Sequence, residues 1–425
     1  MIEENTIPGN ALTEAERAIL LVLPDAASDL ERLRLLTSPG RLPTITVVGK
    51  YNHGKSRLLN ELLGQDGFAV ADKRETTALS FLEHDNVRWL DAPGLDADIH
   101  LHDDDLALRA VWIESDIRLF VHTAKEGELD AAELGFLKQL CDDQTLTHRQ
   151  NLFVLSQIDQ LPGNSELDTI MAAISRQATG LAFQAVSSTR HRQGQTGNKP
   201  LLIQKSGIPD LKTHIANALA NVPQARSFET AQRLAHFNSE LQLQLNLRQS
   251  HLEALIHTQS EQRHQFNSGL AAVLNKVQAD LMGIIQAPGF GNSLTPDTAS
   301  DQYKLTAAKR ERARIQVAYS RACVEIDAFL AGHGVTGLSS DKTTVSGSLY
   351  TVMIAVLGVS VKHARDLQRI FGSDTGIEQL HNAFIRYFNT SADQVALARN
   401  IDQARQHVSH AECAISALVT LTSPV

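Results

Sequence analysis

Gly49-Lys50-Tyr51-Asn52-His53-Gly54-Lys55-Ser56 stands between the apolar run Thr44-Ile45-Thr46-Val47-Val48 and the amphipathic stretch Arg57-Leu58-Leu59-Asn60-Glu61-Leu62-Leu63. The order predicts strand, glycine loop and helix. A G-x-x-x-x-G-K-[ST] loop in that setting turns its backbone N–H groups toward the α- and β-phosphates of a nucleotide, at the positive end of the following helix. Lys55 is then expected to reach the β- and γ-phosphates. Ser56 offers a hydroxyl to Mg2+, a hard ion that keeps most of its waters and takes one or two protein oxygens beside the phosphates. Gly49, Tyr51, Asn52, His53, Gly54 and Arg57 complete the nucleotide-contact set expected of this loop.

Outward from the loop, Thr44 to Ala220 alternates short apolar strands with amphipathic helices, which predicts an α/β domain with a mostly parallel sheet and helices on both faces. Strands are expected at 44–48, 79–83, 87–90, 117–123, 152–156 and 182–186, and helices at 55–64, 103–115, 130–141, 165–178 and 208–220. Ligands of such sheets sit at the carboxyl ends of the strands. The motifs fall there. Asp91-Ala92-Pro93-Gly94 follows one strand, with Asp91 expected to hold Mg2+ through water and the Gly94 N–H to meet the γ-phosphate. Upstream, Glu75-Thr76-Thr77-Ala78 is spaced to lend a threonine to the metal, and Thr77 is preferred over Thr76. Ser156-Gln157-Ile158-Asp159 closes another strand. Asp159 there would accept hydrogen bonds from the N1–H and exocyclic amine of guanine, a donor pair adenine lacks, and losing a charged hydrogen bond costs about 1.5–3 kcal/mol. The run resembles the Asn- or Thr-Lys-x-Asp of guanine-nucleotide proteins, so Gln157 stands where they carry a lysine whose stem covers the base and could stack there without the charge. Ala185-Val186-Ser187-Ser188 is similar to their loop whose amide, here at Ser187 or Ser188, reaches the guanine O6.

These five motifs in order resemble the translation-factor-type GTPases. The stretch Gly49 to Gly64, with its aromatic-Asn pair and its Leu-Asn-x-Leu-Leu-Gly ending, and the Thr77-Ala78 pair resemble the bacterial dynamin-like branch, over about residues 40–220. The resemblance implies GTP and GDP as ligands, Mg2+ as cofactor, and a helical stalk with a lipid-binding element at its far end. It also implies self-association through GTPase domains or with a second dynamin-like protein. Two departures stand out. Ser156-Gln157 replaces the preferred Asn/Thr-Lys pair, and Tyr51 takes the place of the loop glutamine of eukaryotic dynamins. Leu95 follows Gly94 where small regulatory GTPases carry the water-orienting glutamine. Catalysis is therefore expected to rest on Lys55, Ser56 with its ion, Thr77 and backbone donors, with the water placed by backbone, Asn52 or a second molecule. Hydrolysis in isolation is expected to be slow.

The 425 residues suggest more than one domain. The net charge of −9 is uneven, with 21 basic and 31 acidic side chains in residues 1–224 against 18 and 17 in 225–425. No basic surface for nucleic acid is implied, and no RNA-binding motif is present. Cys141, Cys323 and Cys413 are odd in number and scattered, which argues against a disulfide framework or a thiolate zinc site and suits a reducing cytoplasm. Met1 to Asn10 has no basic and apolar leader pattern, so a cytoplasmic chain, peripheral at most on the inner face of the membrane, is expected.

Residues 1–40 carry two helical patterns, the first with a Thr13/Glu16 capping box, and are expected to pack on a stalk. The GTPase domain is assigned to 41–222, with its last helix at 208–220, and the stalk to 223–425, where the composition changes after Pro223 and long helices are expected over 226–286, 302–331 and 376–420. Arg190 to Lys199 reads as a disordered polar loop, and His251, His257 and His264 as a solvated face. His100-Leu101-His102-Asp103-Asp104-Asp105 reads as an acidic helix start rather than a metal site. Residues 343–361 carry no charge over nineteen positions and are flanked by Lys342, Lys362, His363 and Arg365. They read either as a buried helix or as an element touching an anionic membrane. Three functions follow: a GTPase that assembles on or remodels a membrane, a soluble regulatory GTPase acting through a protein partner, and an ATPase, the last encouraged by Ser156-Gln157.

Overall fold

The computed structural model describes residues 12–68, 80–92, 108–335 and 367–422. Two compact units divide the chain, one of Met1–Gln242 with Cys413–Val425 and one of Leu243–Glu412. Thr76, Thr77, Gly94, the stretch His100 to Asp105 and residues 343–361 lie outside the described residues.

The first unit holds a six-stranded sheet. Its strands are β1 (Thr44–Val48), β2 (Ser80–His84), β3 (Val87–Asp91), β4 (Ile117–Thr123), β5 (Gln150–Ser156) and β6 (Phe183–Ala185). They lie in the order β2-β3-β1-β4-β5-β6, all neighbours parallel except β2 and β3. Asp85 and Asn86 connect that antiparallel pair at φ of 50° and 59°, the left-handed backbone a two-residue hairpin needs. Successive residues alternate between two cores. Ile45, Val47, Leu119, Val121 and Val154 join one beside α3 (Lys55–Leu63) and the start of α8 (Ile208–Ile285). Val48, Phe120, Phe153 and Leu155 join the other, with α4 (Ala131–Thr147) and α5 (Asn164–Gln177). This doubly covered sheet is the predicted fold class. Helix α1 (Glu14–Val22) starts on the predicted Thr13/Glu16 capping box, and α2 (Ala27–Thr37) follows it.

A buried ionic network closes the end of the sheet at which β1, β4 and β5 begin. Asp116, just before β4, accepts from the Thr44 N–H at 2.9 Å and from Arg226 of α8 at 3.0 Å and 2.5 Å. Arg32 of α2 reaches the same carboxylate at 3.4 Å, and Arg149 donates to Asp143 at 3.0 Å. Glu229 of α8 is fully buried among these arginines. Arg32 and Asp116 come from segments that sequence alone separates.

Three expectations are corrected. No break occurs at Pro223: α8 runs unbroken from Ile208 to Ile285 with the proline inside it. Buried Val222 and Ala225 and the anchors at Arg226 and Glu229 offset the ~3 kcal/mol that an interior proline costs. Residues read as a disordered loop form α6 (Ser188–Thr196), capped by Ser187 and followed by α7 (Pro200–Gln204). The long C-terminal helix is two, α10 (Asp374–Asn389) and α11 (Ala392–Thr422), parted at Thr390-Ser391.

The second unit packs the later part of α8, α9 (Ala307–Gly332), α10 and most of α11. Its core includes Phe266, Leu270, Val277, Ile326, Phe371 and Phe384, and the Phe266 and Phe388 rings stack at 4.1 Å. His251, His257 and His264 are exposed, as expected of a solvated face. No helix among the described residues is long and apolar enough to cross a membrane.

Candidate functional site

Four strand ends converge on the glycine loop. The loop leaves β1 at Gly49, where φ is 153° and a Cβ would lie 2.2 Å from the Val121 carbonyl oxygen of β4, so only glycine brings the backbone this close. Asn52 and Gly54 also take positive φ, and α3 begins at Lys55. Lys55 is buried, and its Nζ donates to the carbonyls of Gly49 at 2.9 Å and Lys50 at 2.8 Å. The ammonium is therefore held across the mouth of its own loop. Lys50 pairs with Asp130 and lies 3.5 Å from Glu133, both at the start of α4.

Asp91 ends β3, in register with Val47 of β1, and this pairing carries it to the loop. The Ser56 hydroxyl donates to Asp91 Oδ2 at 2.5 Å. Asp91 Oδ1 is buried and accepts no hydrogen bond. Burial pushes the Asp91 carboxyl above its usual range, against the Ser56 hydrogen bond and the Lys55 charge. A buried carboxylate with a spare oxygen, beside a hydroxyl, is a donor set that fits Mg2+.

Ser156 and Gln157, which replace the preferred pair, are the residues that fasten the far side of the site. Ser156 Oγ donates to the His53 carbonyl at 2.6 Å, and Gln157 Nε2 donates to the Asn52 carbonyl at 2.7 Å. Asp159 lies two residues on, in a helical turn, and its Oδ1 accepts from Ser187 Oγ at 2.6 Å. Ser187 itself caps α6 by accepting from the Arg190 N–H at 3.0 Å. Asp159 and Ser187 are thus brought together, and Gln157 joins them to the phosphate loop. Ser188 is half-buried beside Ser187, whereas Asn52 and Arg57 are exposed. Tyr51 is half-buried.

His53 is the exception among the expected contacts. Its side chain points inward with no exposed area, so only its backbone faces a ligand of the loop. Its Nδ1 donates to the Val121 carbonyl at 3.1 Å, and burial pushes its pKa down despite that bond and the carboxylates of Glu126 and Glu133. The surrounding His122, Glu126 and Glu133 were not singled out from sequence. A histidine closing the apolar run Leu119-Phe120-Val121 was the available signal.

Residues 44–156 match the family model described as 50S ribosome-binding GTPase. An uncharacterized protein of Acinetobacter baylyi is 47% identical over 413 residues, covering 97% of this chain and 98% of its own. Among solved structures, the FeoB G-domain of Methanococcus jannaschii is 18% identical over 42% of this chain and 98% of its own, with a TM-score of 0.28. A chain from an oligomerised bacterial dynamin pair, described as sensing and tethering membranes, is 14% identical over 96% of this chain and 75% of its own, with a TM-score of 0.36.

Proposed function

We propose a function for a chain that belongs to the family of the Acinetobacter baylyi protein and carries a GTPase domain: it binds GTP with Mg2+, hydrolyses it to GDP and phosphate, and couples that cycle to self-assembly and contact with an anionic membrane surface. The observation that carries the nucleotide part is Asp159, held by Ser187 at the same sheet edge as the Lys55 loop. A carboxylate there selects guanine by accepting from two donors, and its 2.6 Å bond to Ser187 holds it in orientation while lone pairs remain for them.

On binding, the Lys55 ammonium exchanges the Gly49 and Lys50 carbonyls for β- and γ-phosphate oxygens, a local shift of a charge already held at the loop. Ser56 and Asp91 would hold Mg2+, with Thr77 as a further oxygen, and the ion would neutralise charge on the phosphates. The Gly94 N–H would meet the γ-phosphate. Gln157 covers the base and keeps the Asn52 carbonyl in place. With Leu95 after Gly94, the attacking water is left to backbone, to exposed Asn52 or to a second molecule. Slow turnover alone and faster turnover on assembly are the consequence.

The membrane part rests on the uncharged stretch 343–361 with its basic flanks, and on the resemblance of the phosphate loop to the bacterial dynamin-like branch. A peripheral location on the inner face of a membrane is proposed with it. Competition of GTP against ATP tests the nucleotide part: equal affinity for the two overturns it. Flotation with anionic liposomes in each nucleotide state tests the membrane part. Protein that ignores liposomes in every state leaves a soluble GTPase acting through a partner.

A further inference from the structure

Two imidazoles lie beneath the phosphate loop, and neither is needed by a nucleotide. We propose that His53, His122 and Glu126 form a binding site for a transition-metal dication, zinc by preference, which pins the phosphate loop to the end of β4. One ligand atom from each of the three lies within 4.8 Å of the others.

The hydrogen bonds set the direction of the ring nitrogens. His53 Nδ1 faces the Val121 carbonyl at 3.1 Å, and a carbonyl only accepts, so that nitrogen carries the proton. The lone pair is left on Nε2, which is buried and makes no hydrogen bond. Yet Nε2 sits 3.2 Å from Glu126 Oε2, another acceptor. His122 repeats the pattern: Nδ1 lies 2.8 Å from Glu133 Oε1, and Nε2 lies 3.1 Å from the Gly127 carbonyl. Each ring thus turns a second nitrogen toward an oxygen it cannot donate to while neutral. The two rings lie with centres 5.3 Å apart and without exposed area, and a dication bonded to a lone pair of each and to the Glu126 carboxylate would use ligand atoms already gathered there.

The surroundings are those of a built metal site. A ligating histidine ordinarily donates its other N–H to a carbonyl or carboxylate, which orients the ring, and both rings do so here. Glu133 is itself fixed, because its carboxylate accepts from the Asp130 N–H at 3.2 Å in the capping box of α4. Two imidazoles and a carboxylate, with a position left for water, suit zinc, whereas Mg2+ and Ca2+ prefer all-oxygen sets. Glu126 is about half exposed, at 48%, so it has freedom to close on an ion and offers an entry path. His53 belongs to the loop that wraps the phosphates, and its own carbonyl is tied to Ser156. An ion here would stiffen that loop from below. The inference does not rest on GTP as the nucleotide, since metal uptake is read without any nucleotide present.

The test uses the full chain, stripped with chelator and then kept in excess Mg2+ so that the Ser56-Asp91 position does not report. Zinc is titrated by calorimetry and Co2+ by visible absorption, whose intensity marks tetrahedral coordination. The expected result is a single equivalent bound, with a tetrahedral Co2+ spectrum. Glu126→Gln, on a half-exposed side chain, should lose both signals with the fold intact. Glu133→Gln, which removes only the orienting carboxylate, should weaken zinc by about 10–100-fold and keep the spectrum's form. Ser56→Ala should leave zinc affinity unchanged. Wild-type protein that takes up neither ion overturns the proposal, and so does uptake that Glu126→Gln leaves undiminished.

Discussion

The guanidinium of Arg32 meets the carboxylate of Glu229 through two hydrogen bonds, Nε at 3.0 Å and Nη2 at 2.7 Å, and neither side chain is open to solvent. Burial alone would raise the Glu229 carboxyl. The Arg32 bonds and the charges of Arg149, Arg32 and Arg233 override it and hold the group at about 2, against an ordinary value of 4.5. A carboxyl depressed in the folded state contributes stability above its unfolded pKa and loses it as pH falls toward the folded value.

Thermal stability should therefore fall between about pH 4.5 and about pH 2, and Asp116 and Asp143, also held low, should steepen the fall. Glu229→Ala should cost about 3–5 kcal/mol at neutral pH, because it leaves buried arginines uncompensated. Melting curves across this range check both statements. A pH profile identical in the variant and the wild type would remove Glu229 from the network.

Lys55→Ala should abolish nucleotide binding in calorimetry while leaving the melting temperature close to that of wild type. Its ammonium is held by two local acceptors, the carbonyls of Gly49 and Lys50, within its own loop. Equal affinity in the variant would take the lysine out of the site.

Asp159→Asn should shift preference from guanine toward xanthine nucleotides, whose C2 carbonyl calls for a donor. The amide can still accept from Ser187, so the turn should survive the exchange. Competition between GTP and XTP reads the shift, and unchanged preference would detach Asp159 from the base.

Gln157→Ala removes the 2.7 Å bond to the Asn52 carbonyl and, on the proposed function, the side chain that would cover the base. A net hydrogen bond is worth about 0.5–1.5 kcal/mol, so GTP affinity should fall by about 2–10-fold. Gln157→Lys, with a stem of similar reach, should restore it. Titration of the two variants side by side decides whether this glutamine serves the site or merely occupies it.

Strand, loop and helix around Gly49 were legible because their signals are local: β-branched residues, glycines at turn positions and an amphipathic period within about twenty residues. Asp91 and Asp159 were legible because one ends a strand of the sheet that sequence alternation predicts and the other lies in the turn just after one. Pro223 misled because the forces that keep the helix whole come from Asp116 and Arg32, which are remote in sequence. Arg190 to Lys199 misled similarly. His191 is buried against Glu61 at 2.7 Å, 130 residues away, and Gly194 admits Ile203 so closely that a Cβ would meet its Cγ1 at 2.7 Å. His53 was placed in the correct loop, but which way a side chain points within such a loop is set by β4 and α4, not by its neighbours in the chain.

The pairing of Arg32 with Glu229 also sets an order of events on the ribosome. The two are 197 residues apart, and chains grow at about 5–20 residues per second, so Arg32 exists for roughly 10–40 s before its partner is made. The last strand ends at Ala185, so in the final part of that interval every strand of the sheet has been synthesised while Asp116 still lacks Arg226 and Arg149 still lacks Glu229. The nascent GTPase unit must therefore wait, its charged end still wet, for the first turns of α8 beyond Pro223. A chain cut at residue 222 would be held at that stage permanently.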